Sequence, residues 1–308
     1  MATFEVAGER RTRFPTGRRF RVPSAVASRS QTLTATTRSD DSCGVRRGPP
    51  TDGCRETVGS STNDAPAQFA AVDIAPGDFD TYQYPQLPVF PAEERILSDV
   101  LRPGMRVLDL GCGDGRITQT LAGRAVGVLA FDLSFAALVQ VRAKSLAERL
   151  IGLGQADARS LPFGSASIDV VIFAFNGIDA LYPEEERVTA LREIGRVLRP
   201  GGYFILSTQN PLGTLLSPRG MRSRAAWRWR AEYALSGAMR QPYFRNQAGL
   251  RLYHAQPRRV VAQVSEHSNT TFLYCLNRSG ISHSVAIVTL FSAWPYYVFR
   301  RTDRDACR

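Results

Sequence analysis

The sequence predicts an α/β domain: an open, mostly parallel sheet with helices on both faces. Two observations carry that prediction. Between residue 91 and residue 207, short apolar runs alternate with stretches of helical periodicity, the pattern of strands joined by crossover helices. The first run, Met105 to Leu110, has the length and β-branched content of a fully buried strand. It passes directly into Gly111-Cys112-Gly113-Asp114-Gly115 and then into a helix-like stretch. Glycines at alternate positions let a backbone turn sharply and approach a ligand with no Cβ in the way. The helix that follows would add free N–H groups and a positive dipole end.

Each element has its own signal. Pro91 to Leu101 reads as a helix, with proline in its first turn, Glu93 and Glu94 near the positive end, and Ile96, Leu97, Val100 and Leu101 at helical spacing. Pro103-Gly104 ends it and leads into the first strand. Ala125 to Phe131 is a second strand, closed by Asp132-Leu133-Ser134, and Phe135 to Leu150 is helical with Leu138, Val141, Leu146 and Leu150 on one side. A short third strand or turn precedes Gly154 to Ala158, and Ile168 to Phe175 is a fourth strand. Pro183 to Leu198 is a helix with an acidic start (Glu184 to Glu186) and a basic end, as the dipole prefers. Pro200-Gly201-Gly202 separates it from a fifth strand, Tyr203 to Ser207.

Composition narrows the function classes. The chain has 308 residues, 44% of them hydrophobic, enough for a sizeable core, and it has no apolar run long enough to span a bilayer. Cys43, Cys54, Cys112, Cys275 and Cys307 are scattered with no C-x-x-C pair, which argues against a disulfide framework or zinc site and for a reducing, cytoplasmic location. With only His254, His267 and His283, material for a metal site or a triad is scarce. The net charge of +11 is uneven: +3 over residues 1–75, −3 over 76–200 and +11 over 201–308. Residues 1–75 are rich in Arg, Ser, Thr, Gly and Pro without periodicity and read as a disordered basic tail. Its cluster Arg10 to Arg21 suits a solvated tail better than a targeting peptide, given Glu5, Glu9 and two prolines.

Two details of the glycine turn bear on its ligand. Its spacing is G-x-G-x-G, not the G-x-G-x-x-G that cradles a pyrophosphate. Asp109, just before the glycines, would repel a phosphate but hold an ammonium group. Asp132 follows at about the interval at which a carboxylate pairs with ribose hydroxyls.

The stretch VLDLGCGDGR (107–116) resembles motif I of the class I S-adenosylmethionine (SAM) dependent methyltransferases. The resemblance continues through FDLS (131–134), GQADARSLPF (154–163), SIDVVIFAFNGIDAL (167–181) and REIGRVLRPGGYFILST (192–208), blocks similar to those of the type 11, ubiquinone-biosynthesis-like family. It implies a Rossmann-like, seven-stranded, mostly parallel sheet with an antiparallel last strand. It further implies a SAM-binding core at 91–208 within a domain spanning 76–308, a lid insertion at 209–259, and a closing helix and hairpin at 260–301. SAM is then the expected cofactor, with Asp109, Gly111, Gly113 and Gly115 around its methionine end and Asp132 on the ribose. Leu133 would lie against adenine, Asp157 would accept from its exocyclic amine with the small Ala158 beside the ring, and Asn176 would lie along the methionine end.

No residue is assigned a catalytic role. Asp179 and His254 are the candidates for a general base, should the acceptor need to lose a proton, although Asp179 also suits a helix N-cap and His254 a lid hydrogen bond. The expected partner is a small-molecule methyl acceptor. Pro218 to Arg259, with ten arginines against Glu232 and interleaved Trp and Tyr, leaves RNA as an alternative. A non-catalytic SAM-binding module is a further one. Oligomeric state has no signal in the sequence.

Overall fold

The computed structural model describes residues 87–144, 150–175, 177–216, 227, 230–231, 234–235, 242–245 and 251–302. The tail expected at 1–75, the onset of order expected near Asp78, and most of the arginine-rich stretch lie outside the described residues.

The elements run α1 (Pro91–Val100), β1 (Arg106–Leu110), α2 (Arg116–Ala122), β2 (Gly127–Asp132), α3 (Phe135–Ala143), β3 (Gly152–Gln155), β4 (Ile168–Phe173), α4 (Glu184–Val197) and β5 (Leu198–Ser207). They continue with α5 (Pro211–Leu216), β6 (Tyr243–Arg245), β7 (Arg251–Tyr253), α6 (Pro257–His267), β8 (Thr270–Leu276), β9 (Ser282–His283), α7 (Val285–Phe291) and β10 (Tyr296–Arg301). One sheet has the order β3-β2-β1-β4-β5-β10-β8-β9. The first five strands in that order are parallel, and β10 runs antiparallel between β5 and β8. β1 is the switch point: the chain moves outward to β2 and β3 on one side, then returns to β4 and β5 on the other.

Strand alternation sends neighbouring side chains to opposite faces. Val107, Val128, Val170, Ile172 and Ile205 pack with Ile96, Leu97, Ile117 and Leu121 of α1 and α2. Leu108, Leu110, Val171, Phe204 and Leu206 pack with Leu191, Ile194, Val260 and Val264 of α4 and α6. Burial on both faces explains why the strands read as unbroken apolar runs. A buried ion pair fixes α1 to the start of α2: the Glu93 carboxylate accepts Arg116 Nη2 at 2.7 Å, Tyr296 Oη at 3.1 Å and the Phe90 amide at 2.8 Å.

The sheet departs from the expected seven strands by one short addition. After β8, Asn277 Oδ1 accepts the amides of Ser279 and Ile281, and the reversed chain pairs Ser282–His283 with Cys275–Leu276 as β9. Two other differences are local. The strand expected from Tyr203 begins at Leu198, because Leu198 pairs with Ile168 ahead of a register shift and Pro200-Gly201-Gly202 is absorbed within the strand. The closing hairpin is interrupted by α7, and its helix begins at Pro257 rather than 260.

Candidate functional site

The carboxyl ends of β1, β2 and β4 meet at the switch point, and the glycine turn crosses them. The amides of Gly111 and Cys112 both donate to Phe131 O, at 2.7 and 3.1 Å, drawing the turn over the end of β2. Gly111, Gly113 and Gly115 take φ values of +64°, +56° and +89°, a region costly for residues with a Cβ. At Gly111 a Cβ would also stand 2.7 Å from the Phe173 ring. The turn is pinned from α3: Lys144 Nζ donates to the carbonyl of Asp114 at 2.7 Å and to its carboxylate at 2.8 Å.

Asp132 organises this corner. Its Oδ2 accepts the Gly113 amide and its Oδ1 the Ser134 amide, both at 2.8 Å. Asp109 lies beneath the turn, buried, with Oδ2 accepting Thr118 Oγ1 at 2.6 Å. Burial pushes its carboxyl up to about 7, against the lowering effects of the Thr118 hydroxyl and of Arg116. A carboxyl held there by burial, with a hydroxyl rather than a cation as its hydrogen-bond partner, suits an incoming ammonium.

The β3 end joins the same corner. Ala156 N donates to Asp132 O at 3.0 Å, and Gln155 Nε2 to Leu133 O at 2.7 Å. Leu133 is 39% exposed and Ala158 is buried. Asp157 is more engaged than expected: both its oxygens accept Arg159 Nε at 2.9 Å, and Arg159 in turn reaches Glu186. These hydrogen bonds from Arg159 hold the Asp157 carboxyl below its usual range. Asn176 lies outside the described residues.

Neither base candidate is an open carboxylate or imidazole. Asp179 is no N-cap; it is wholly buried in a single 3₁₀ turn, Ile178–Ala180. Its Oδ1 accepts Arg187 Nη1 at 3.0 Å and its Oδ2 the Gln209 amide at 3.2 Å. Burial raises its carboxyl to about 7 despite the Arg187 charge. His254 is buried, stacked on Phe244 at 4.6 Å, and its backbone bridges to Gln209. The β6–β7 hairpin closes over this region: Tyr243 Oη donates to Leu181 O at 2.9 Å, and the Tyr243 ring meets Tyr182 and Tyr253 edge-on.

Several residues at this edge had no sequence signal. Thr118, Lys144 and Arg116 act through partners 9, 30 and 23 residues away. Phe175, just past β4, adopts φ +53°, donates its amide to Ser207 Oγ at 2.8 Å and stacks on Trp294 with centroids 5.2 Å apart. A positive φ on a bulky side chain beside a ligand-facing strand end is the strain expected of functional loops.

Comparison with known proteins agrees with this geometry. A family model described as a methyltransferase domain matches residues 107–202. The chain is 37% identical over 108 residues to a cypemycin N-terminal methyltransferase from Streptomyces sp, covering 35% of this chain and 43% of that protein. It is 36% identical over 124 residues to a ubiquinone/menaquinone biosynthesis C-methyltransferase from Ectopseudomonas mendocina, covering 38% of this chain and 47% of that one. The chain thus spans less than half the length of these curated relatives. Among solved structures, the CcbJ methyltransferase from Streptomyces caelestis superposes with a TM-score of 0.53 at 18% identity, over 76% of this chain and 98% of that one. A SAM-dependent methyltransferase from Methanosarcina mazei gives 0.51 at 18%, over 70% and 99%; both likenesses are of fold. Residues 107–202 thus match a methyltransferase domain, within a chain whose fold is similar to that of SAM-dependent methyltransferases.

Proposed function

We propose that the protein transfers a methyl group from SAM to a small-molecule acceptor, and that Asp109, Gly111, Gly113, Gly115, Asp132, Leu133, Asp157, Ala158 and Asn176 hold the cofactor. The observation that carries this reading is the Asp132 carboxylate, fixed by the Gly113 and Ser134 amides at the end of β2, with Asp109 buried beneath the same turn. The residues fit the group. Asp132 would accept the ribose hydroxyls, Asp109 would meet the ammonium, and exposed Leu133 offers an apolar surface for adenine. Bound there, SAM supplies a methyl group already activated by its sulfonium.

The chain's own part is positioning and exclusion of water. Phe175 and Trp294, stacked just past the end of β4, offer the acceptor side aromatic surface. Arg187, Asp179 and Gln263 brace the β6–β7 hairpin through the buried Tyr253. The acceptor is a small molecule rather than RNA on this reading, because Tyr243 and Tyr253 are engaged with the core and unavailable to stack on bases. Free Cys112 and Cys275 support the cytoplasm as its location. Among the described residues no helix is long and apolar enough to cross a membrane.

Calorimetry with SAM and with NAD tests the cofactor, and labelled SAM incubated with metabolite and RNA pools tests the acceptor. Binding of SAM without NAD, with label passing to a metabolite fraction, is the expected result. Preference for NAD would overturn the cofactor assignment, and label passing to RNA the acceptor class.

A further inference from the structure

The elements that exceed the expected seven-stranded pattern, β9 and α7, add little to the core. Helix α7 reads VAIVTLF, yet Val288 is its one buried residue. Ala286, Ile287, Leu290 and Phe291 recur at helical spacing and are exposed, Phe291 by 63%. An amphipathic helix ordinarily turns such a stripe to the core; this one turns it to solvent. Ile281, just before β9, and Leu216, at the end of α5, are exposed as well, and α7 packs against both of those elements.

The stripe stands on a fixed platform. Asn210 Nδ2 donates to the carbonyls of Val288, Thr289 and Ser292 at 3.2, 2.9 and 2.8 Å. A Cβ on Gly213 of α5 would lie 2.1 Å from Ser292 O, so α5 and the end of α7 touch backbone to backbone. The stripe is also free of charge. From Ser279 to Phe299 the chain contains no Asp, Glu, Lys or Arg, although such residues make up 22% of the whole. An apolar patch held rigidly and left unburied marks an interaction site.

We propose that this face is where two copies of the chain meet, α7 against α7 across a two-fold axis. A two-fold contact sets one patch against itself, so the patch must be complementary to its own copy. An uncharged apolar helix stripe meets that condition, and the small Ala286 lets the two helices approach closely. Charge selects the same place. Each chain carries +11, so two copies repel wherever their arginines come near one another. Across residues 279–299 they can touch without setting like charges together. Area sets the strength. The exposed parts of Leu216, Ile281, Ala286, Ile287, Leu290 and Phe291 amount to about 500 Å² per copy, so a dimer buries about 1,000 Å², the lower limit for a specific interface. The dimer is therefore a weak one that forms at micromolar concentrations. The loop from α7 to β10 carries Trp294, so pairing also steadies the Phe175–Trp294 stack on the acceptor side. That consequence rests on the methyl-transfer reading; the pairing does not.

Sedimentation velocity of the full chain, under reducing conditions and without cofactor, over about 1–100 μM tests the pairing. A monomer–dimer equilibrium is expected. It should tighten as salt shortens the Debye length from about 10 Å to about 3 Å, because screening removes the repulsion and leaves the apolar contact. Leu290→Ser with Phe291→Ser should weaken the dimer about tenfold or more while leaving the thermal midpoint of the dilute, monomeric chain unchanged, since both side chains are exposed. Val139→Ser removes an exposed apolar side chain from α3, at the opposite end of the sheet, and should leave the dimer intact. A chain that stays monomeric throughout would leave the stripe to an unlike partner and overturn the proposal. So would a dimer that dissolves as salt rises, one that the double variant does not weaken, or one that Val139→Ser weakens as much.

Discussion

Replacing Arg187 by methionine removes a wholly enclosed guanidinium on which three elements depend. Its Nη1 donates to Asp179 Oδ1 at 3.0 Å and to Ile178 O at 2.9 Å, its Nε donates to Gln263 Oε1 at 2.8 Å, and its centre lies 4.2 Å from the Tyr253 ring. Methionine keeps most of the stem volume, so the effect comes from the charge and its bonds rather than from a cavity. Removing one partner of a buried ion pair costs about 3–5 kcal/mol. Asp179, already raised to about 7 by burial, would rise further without the arginine and take up a proton at neutral pH. That uptake trims the loss toward the lower bound, ~3 kcal/mol, or a melting temperature lower by roughly 6–12 °C for a domain of this size. The pH dependence carries a second signature. With a folded pKa above its unfolded value, Asp179 binds a proton more tightly in the native state, so its contribution to stability falls as pH rises from about 4 to about 7 and is flat above. In the variant the fall continues beyond 7, so the gap between the two proteins widens with pH. Calorimetric scans between about pH 5 and pH 9 measure both, and Asp179→Asn in the Arg187→Met background should recover part of the loss. A midpoint within about 2 °C of the parent, or a gap that ignores pH, would refute the argument.

Two further outcomes concern the proposed cofactor site. Asp132→Ala should weaken SAM binding by about 1–3 kcal/mol in calorimetry, because the ribose hydroxyls lose their acceptor and the Gly113 and Ser134 amides lose theirs; an unchanged affinity removes Asp132 from the site. SAM affinity should climb up to about tenfold per pH unit toward pH 7 as Asp109, held at about 7, ionises to meet the ammonium, then level off until that ammonium deprotonates near pH ~8. A flat profile between about pH 5 and pH 7 would detach Asp109 from the ligand.

What the sequence made legible follows from locality. The strand β1, the glycine turn and Asp132 lie within 28 residues, and every cue there is carried by residue type and spacing: an apolar run, glycines at alternate positions, a carboxylate at a strand end. Helix α7 escaped because VAIVTLF is an apolar run that periodicity cannot assign to helix or strand. Its local signal was Ser284, whose hydroxyl caps the helix by accepting the Ile287 amide at 3.4 Å. The extra strand β9 escaped for a similar reason, since it depends on one asparagine folding the chain back on itself. Asp157 is a different case. Its strand-end position was plain, but its pairing with Arg159, two residues on, competes with the ligand role that position suggests. Which use a carboxylate makes of its lone pairs is a matter of side-chain geometry, not of residue order.

Asp109 and Asp179 carry this point furthest. Asp109 lies near the carboxyl end of β1 and Asp179 in the turn beyond β4; both are buried, and burial raises both to about 7. Burial alone does not tell them apart. Their partners do. Asp179 is met by a guanidinium from α4, eight residues along the chain, whose Nε is bonded in turn to Gln263, 76 residues away. That carboxylate has its counter-charge inside the protein and braces the β6–β7 hairpin. Asp109 has a threonine hydroxyl. Arg116, which attracts it at longer range, is bonded to Glu93. A buried carboxyl without a bonded cation keeps its proton until a cation arrives. On that ground the ammonium of the cofactor is assigned to Asp109 and a structural role to Asp179, and the two pH profiles above should move in opposite senses: stability lost through Asp179 as pH rises, affinity gained through Asp109 over the same range.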